Sequence, residues 1–537
     1  MTIRRLLIAN RGEIALRVFR TCERLGIETV AVVAPDDQGS LHARSADQTL
    51  EIDSYLDPSE HVRAALAAGA DAIHPGYGFL AENAAFADDV VAAGITWVGP
   101  PPETLRLGGD KLAAKRIALE HGVPTLPQGS PDEVGFPLVV KASAGGGGRG
   151  MRIVRSPAEL DDALAACRRE AEGAFGDGTV FCERYLERPR HVEAQLLGHP
   201  GGITVLGGRD CSIQRRHQKL IEESPAPGLD PRAWPRVVAG AVAFAEAIGY
   251  RGAGTAEFLV DGADVYFLEL NGRIQVEHPV TEEVTGLDIV ELQLRVAAGE
   301  EIDLDVTPHG HAIEARLYAE DPRTFLPQTG RLTTLTLPPA IRVDAGVEEG
   351  DEVGLSYDPL LVKLIAHGSD REEAIERLAR ALDATTVAGV TTNLPFLRWL
   401  VRHPAFRAGA FSTAFLLEHT PLSATPLRAA SGVFAQPWRL NLAIPPPVAT
   451  PDVAATLPGA GAVGAHGMIT APMPGTVIGV EVAVGDAVAA RQPLVILEAM
   501  KMEMPVAAPF AATVIAVLIA PGNQVAAGAP LVELGPG

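Results

Sequence analysis

The stretch from Ala471 onward repeats itself, and this repeat restricts the fold more than any other feature of the chain. At a spacing of about 37 residues, Ala471-Pro472 recurs as Ala508-Pro509 and Thr476-Val477-Ile478 as Thr513-Val514-Ile515. Gly485-Asp486 recurs as Gly522-Asn523, Val488-Ala489-Ala490 as Val525-Ala526-Ala527, and Pro493-Leu494-Val495 as Pro530-Leu531-Val532. Each copy alternates short β-branched runs with Gly, Pro or Asp. The prediction is two similar sets of short strands facing each other as a small flattened barrel. Lys501 falls near the junction of the copies, between Leu494-Val495-Ile496-Leu497 and Met504-Pro505-Val506, a position that suits the tip of a hairpin.

A lysine at such a tip is ordinarily a solvated surface charge. This chain has only six lysines, at 111, 115, 141, 219, 363 and 501, and arginine supplies nearly all its other positive charge. Where lysine is kept in such a chain, an amine that can lose its proton and be acylated is a reason, since arginine cannot do that.

At 537 residues the chain is too long for one core, and three to four domains are expected. A net charge of -22 argues against a nucleic-acid partner or an anionic membrane surface. Cys22, Cys167, Cys182 and Cys211 show neither metal-ligand spacing nor a secretory framework, which suits a reducing cytoplasm. The apolar run after Arg4-Arg5 stops at Asn10, far short of a signal sequence or membrane span, and reads as a first buried strand.

Residues 1 to about 110 alternate strands with helical patterns: Leu6-Leu7-Ile8-Ala9, Glu13 to Leu25, Thr29 to Val33, Ala72-Ile73-His74 and Thr96-Trp97-Val98. That alternation predicts a parallel sheet with crossover helices. His74-Pro75-Gly76-Tyr77-Gly78 ends a strand, as either a site loop or a turn needed only for backbone geometry. Between Val140 and Met151 lie Lys141 and five glycines, which can close backbone N–H groups on phosphate oxygens or form a ligand-free hairpin. The polar run Arg209 to Lys219 is either a solvated face or a local anion-binding field. Glu257, Glu269 and Asn271, on paired strand patterns, offer hard oxygen ligands of the kind magnesium takes beside a nucleotide's phosphates.

Ala499-Met500-Lys501-Met502 within a repeated β domain resembles the biotin-accepting site of biotinyl domains, with Lys501 as the biotinylated residue. Lipoyl domains share that fold but usually carry Asp-Lys-Ala at the tip. Upstream, Ile8-Ala9-Asn10-Arg11-Gly12-Glu13, His74 to Gly78, the glycine loop, Arg209 to Lys219, Asn271 to Thr281 and Tyr357 to Leu364 together resemble the ATP-grasp superfamily, most closely the biotin carboxylases. The resemblance covers roughly residues 1 to 420.

It implies an α/β and α+β multidomain chain. A pre-ATP-grasp parallel sheet (1–110) precedes an ATP-grasp domain (111–308) and a biotin carboxylase C-terminal domain (309–420). A Pro/Ala/Gly-rich linker (421–465) then leads to an all-β flattened biotinyl barrel (466–537). Lys111, Lys141, Gly147, Gly148, His191, Gln214, His217 and Glu257 would contact ATP, with Glu183, Arg184, Tyr185 and Leu186 as the hinge against adenine. Glu257, Glu269 and Asn271 would hold Mg²⁺ or Mn²⁺, and Lys219, Arg273, Gln275, Val276 and Glu277 would bind bicarbonate. The catalytic set would be Glu277, Arg273, Arg316 and Lys219.

The implied chemistry begins with phosphoryl transfer from ATP to bicarbonate, Glu277 taking the bicarbonate proton. The carboxyphosphate so formed breaks down, the released phosphate deprotonates biotin, and Arg316 stabilises the enolate-like oxygen. Implied partners are a biotin protein ligase, a separate carboxyltransferase (beta) subunit that passes the carboxyl group to an acyl-CoA, and further copies in a homo- or hetero-oligomer. A lipoyl-like fusion or an inert ATP-grasp scaffold that only carries the group are the alternatives.

Two departures from the family pattern stand out. Only Ser130 to Val134 separate Gly129 from Gly135 where about a dozen more residues are usual, so altered lid packing is expected. Gly272 replaces the threonine usual after the metal-ligand asparagine.

Overall fold

The computed structural model describes residues 3–143, 151–175, 177–215, 218–419, 462–463, 467–472, 475–499, 502–526 and 528–536. Gly147, Gly148, His217 and Lys501 lie outside them, as does the proline-rich stretch up to residue 461. Ala462–Val463, assigned above to the linker, instead forms a short strand paired with Met468–Thr470.

The first apolar run is the strand Arg5–Ile8, with Leu6, Leu7 and Ile8 fully buried, at the centre of a five-stranded sheet. Its parallel neighbours are Glu28–Val33 and Ala72–His74, flanked by Gln48–Glu51 and Thr96–Trp97. Gln48–Glu51 is half-exposed and too polar to be found by its pattern. The helix Gly12–Leu25 crosses from the first strand to the second and buries Ile14, Ala15, Val18 and Cys22. Gly26, at φ 68°, stops it: the left-handed turn returns its N–H to the last helical carbonyls, which a side chain would hinder. That helix shares a core with Ile289, Leu292 and Leu294 of Ile289–Ala297, locking the N-terminal sheet against the central region.

A small four-stranded sheet is ordered Gln128–Gly129, Val180–Arg184, Leu138–Ala142, Met151–Val154. The shortened connection before it is a single turn, Pro131–Val134, closed by a reciprocal capping box between Ser130 and Glu133. The sheet keeps its strands, with the deletion absorbed in that turn.

The central element is one antiparallel eight-stranded sheet: Asp264–Asn271, Gly252–Asp261, Arg190–His199, Gly202–Asp210, Ile221–Ser224, His311–Tyr318, Leu360–Gly368, Arg342–Ala345. It runs unbroken from the segment read as ATP-grasp into the C-terminal segment, through the pairing of Ile221 with Ala315 and Glu222 with Glu314.

In the barrel, Gly475–Val480 is matched 37 positions on by Ala512–Val517, and Pro493–Ala499 by Pro530–Pro536. The copies interlock reciprocally: Gly485 N donates to Val514 O (2.8 Å) and Gly522 N to Val477 O (2.7 Å). Pro493–Ala499 and Met502–Ala507 pair with Ala499 opposite Met502.

Candidate active site

Sheet register builds the site. Arg209, Glu193, Glu257 and Glu269 stand opposite one another on four consecutive strands, a row of one cation and three carboxylates. Lys219, from the short strand Gln218–Lys219, reaches into the row: its Nζ lies 2.6 Å from Glu193 Oε2, 2.9 Å from Glu257 Oε1 and 2.5 Å from Glu277 Oε1. Burial opposes its charge, but the three carboxylates outweigh that and hold the ammonium well above its usual pKa.

Glu277 is buried and gripped from both sides. Its Oε2 lies 2.9 Å from Arg316 Nη2, the same nitrogen that meets Glu222 Oε1 at 2.5 Å. Burial raises the affinity of Glu277 for a proton, and Lys219, Arg316 and Arg209 overcome it, leaving the carboxyl well below its ordinary range. It is therefore an ionised acceptor aimed between two cations. Behind Arg316, Glu222 and Glu314 are opposed across two strands, and both are buried. Burial, with Glu277 nearby, pushes Glu222 up to about 7 despite Arg316, and burial drives Glu314 well above its normal value. Glu222 is thus about half protonated at neutral pH, and Glu314 holds its proton beyond the ordinary carboxyl range.

The turn after Asp264–Asn271 carries the remaining predicted groups. Gln275 Nε2 and Asn271 Nδ2 each donate to Glu257 Oε1 at 3.0 Å. Arg273 bridges Asn271 Oδ1 (3.0 Å), Gln275 Oε1 (2.9 Å) and Glu82 Oε2 (3.0 Å). Glu82 also accepts from Gly272 N at 3.0 Å. A Cβ on Gly272 would lie 2.8 Å from Leu105 Cδ2 and 3.4 Å from Pro100 Cγ, so local packing explains the glycine. Val276 contributes through its backbone, its carbonyl accepting from Lys363 Nζ at 2.9 Å.

His191 Nε2 lies 3.0 Å from Glu257 Oε2, and Gln214 Nε2 meets its Nδ1 at 2.9 Å. Burial disfavours the imidazolium, yet Glu257 prevails and raises its pKa. Lys111 Nζ lies 4.0 Å from Glu269. Lys141 contacts the fully buried Glu183, which Lys115 grips from the other side. The Glu183 carboxylate therefore anchors two lysines, and just beyond it Arg184 N and Tyr185 N donate to Pro127 O and Pro137 O.

Glu257 and Glu269 are paired in register, and burial together with the charge of Glu257 raises the pKa of Glu269. The buried Glu257 and the partly exposed Glu269 offer adjacent hard oxygens whose repulsion a divalent cation would relieve, and Asn271, whose Oδ1 accepts from Arg273, would add its amide oxygen. The residues fit Mg²⁺ or Mn²⁺.

The anion-field reading of Arg209 to Lys219 needs correction. Arg209 is fully buried, donating to Glu193 (2.5 Å), Gln195 (2.7 Å), Thr281 (2.9 Å) and Thr255 (3.1 Å). Arg215 is buried against Glu320. Of the basic groups described there, Arg209 and Lys219 both pair with Glu193 of the site, and Arg215 pairs elsewhere. Glu82, Lys115, Glu193 and Glu222 were missed in the sequence. Glu193 had a signal, since His191, Glu193 and Gln195 alternate onto one face of a strand.

Four family models match in order: "Biotin carboxylase, N-terminal domain" over 2–105, "Carbamoyl-phosphate synthase L chain, ATP binding domain" over 128–305, "Biotin carboxylase C-terminal domain" over 314–418, and "Biotin-requiring enzyme" over 467–534. A biotin carboxylase of Halalkalibacterium halodurans is 46% identical over 441 residues, covering 78% of this chain and 98% of the relative. The chain belongs to the biotin carboxylase family. The methylcrotonoyl-CoA carboxylase subunit alpha of Oryza sativa is 45% identical over 459 residues, covering 80% of this chain but 62% of that longer relative. Among solved structures, the biotin carboxylase domain of Hydrogenobacter thermophilus 2-oxoglutarate carboxylase, in complex with MgADP, ADP and bicarbonate, is 42% identical with a TM-score of 0.76, covering 78% of this chain and 98% of that one. Biotin carboxylases are ATP-dependent ligases, and the row of carboxylates around Lys219 is where this member of the family places its charged groups. Among the described residues, no helix is long and apolar enough to cross a membrane.

Proposed function

We propose that this chain carboxylates biotin carried on its own Lys501, using ATP and bicarbonate, as the alpha subunit of an acyl-CoA carboxylase in the cytoplasm. The observation that carries the reading is the placement of Glu277: an ionised, buried carboxylate held between Lys219 Nζ at 2.5 Å and Arg316 Nη2 at 2.9 Å. Those two cations mark where anionic oxygens belong, and the carboxylate between them is the acceptor for the bicarbonate proton.

Lys219, Arg273, Gln275 and the Val276 backbone surround the bicarbonate. Lys111 and Lys141 face the phosphates of ATP, and Arg184 to Leu186 face its base. Glu257, Glu269 and Asn271 hold Mg²⁺ or Mn²⁺, which when bound neutralises charge on the transferring phosphoryl group. Biotin when bound supplies the ureido nitrogen that receives the carboxyl group. Arg316 is positioned to neutralise the ureido oxygen, and Glu222 keeps the guanidinium oriented while Glu277 is protonated.

The carrier barrel on the same chain supports a tethered substrate, whose effective concentration at the site is raised without tight docking. A biotin protein ligase loads Lys501, and a separate carboxyltransferase subunit takes the carboxyl group to an acyl-CoA. The rice relative, an alpha subunit by name, supports that division of labour. The test is ATP turnover that depends on both bicarbonate and biotin, together with the intact mass of chain co-expressed with a biotin ligase. Absence of any ATP turnover would support the inert-scaffold alternative instead, and a lipoyl mass would support the other carrier.

A further inference from the structure

Lys363 has no part in the chemistry above, yet like Arg209 it is a fully buried cation beside it. The side chain is 0% exposed. Its Nζ donates to the Val276 carbonyl at 2.9 Å and pairs with Glu13 Oε2 at 3.1 Å and Asp344 Oδ2 at 3.8 Å. The other Glu13 oxygen accepts from the Tyr77 hydroxyl, on the loop after Ala72–His74.

These partners come from three distant parts of the chain. Glu13 belongs to the first helix of the N-terminal sheet, Val276 to the turn after Asp264–Asn271, and Asp344 to the strand beside that of Lys363. Register adds a further constraint. Arg316, Lys363 and Asp344 stand side by side on three consecutive strands. Arg316 grips the side chain of Glu277, and Lys363, one strand along, grips the carbonyl of the residue just before it. The turn is therefore held at adjacent positions by adjacent cations of one rigid sheet. On its other side, His278 Nδ1 and the Gln275 carbonyl are 2.7 Å apart.

A buried ammonium costs several kcal/mol unless it is compensated; here one proton goes to the Val276 carbonyl, and the Glu13 and Asp344 carboxylates neutralise the charge.

We propose that Lys363 is a positioning residue for bicarbonate: it fixes the Val276 peptide, and with it the aim of Glu277, by tying the turn to the N-terminal helix and the C-terminal strands at once. This rests on reading Gln275 to Glu277 as the bicarbonate turn. Tyr77 and Glu13 form the outer end of the same tie, which gives the His74 to Gly78 loop a role beyond its backbone geometry.

The test uses the full chain with free biotin, measuring KM for bicarbonate and for ATP separately. In Lys363→Gln, KM for bicarbonate should rise about tenfold while KM for ATP stays within about twofold. Glu13→Gln, which keeps the bond to Val276, should shift KM for bicarbonate about threefold in the same direction. Equal rises in both KM values, or no rise in either, would overturn the inference. If Lys363→Gln does not accumulate as folded protein, Glu13→Gln decides alone, and an unchanged bicarbonate KM there overturns it. Wild-type chain with no bicarbonate-dependent turnover would remove the underlying reading, an outcome separable from any variant's behaviour.

Discussion

Glu193 and Glu257 face each other across neighbouring antiparallel strands, and a single ammonium, that of Lys219, is shared between them at 2.6 and 2.9 Å. Two buried carboxylates so placed repel strongly unless a cation separates them. The same ammonium also reaches Glu277, so one side chain is shared by three buried carboxylates.

Glu277→Gln keeps the shape of the acceptor and removes its charge. Bicarbonate- and biotin-dependent ATP turnover should fall by about 10²- to 10⁴-fold, with nucleotide affinity little changed. Steady-state turnover beside equilibrium nucleotide binding checks this, and a variant that carboxylates free biotin at the wild-type rate would refute the assignment.

Lys501→Arg should abolish biotin incorporation, read by intact mass, and leave carboxylation of free biotin intact. Loss of free-biotin activity in this variant would mean that the barrel lysine contributes to the site itself, contrary to its role as an attachment point.

Glu314 has no hydrogen-bond partner for either oxygen among the described residues, and burial raises its pKa well above the ordinary value. A carboxyl whose folded pKa is raised contributes stability that is complete below its unfolded pKa and is lost as pH rises towards the folded one. Glu222, raised to about 7, acts in the same direction between about pH 4.3 and 7. Glu314→Gln, which cannot ionise, should therefore gain stability relative to wild type as pH rises above the ordinary carboxyl range. Thermal unfolding across a pH series measures it; a difference from wild type that does not change with pH counts against a protonated Glu314.

Gly272→Thr restores the residue usual in the family at a place where its Cβ would press on Leu105 at 2.8 Å. Overpacking of this kind should cost about 1–3 kcal/mol, visible as a lower Tm. Adding Leu105→Ala should recover part of the loss, and a Gly272→Thr protein as stable as wild type would show that Leu105 yields freely.

The motifs were legible because their chemistry needs particular residue types at short range. Arg273, Gln275 and Glu277 lie on one turn, and the 37-residue repeat writes the barrel's symmetry directly into the sequence. What could not be read were pairings set by register between strands far apart in the chain. Glu193 meets Arg209 on one side and Glu257 on the other, Glu222 meets Arg316 94 positions later, and Glu82 meets Arg273. The run at Arg209 misled for the same reason: a charged stretch looks solvated until its carboxylate partners, contributed by other strands, are in place.

The unbroken eight-stranded sheet divides the site into a floor and a roof. Glu193, Glu257, Glu269 and Arg316 all stand on that one sheet, and their spacing is a property of its hydrogen-bond ladder. Lys141 and Glu183 belong to the separate small sheet above. The spacing of those four groups is thus set by the backbone pairing of one sheet, while Lys141 and Glu183 take theirs from another.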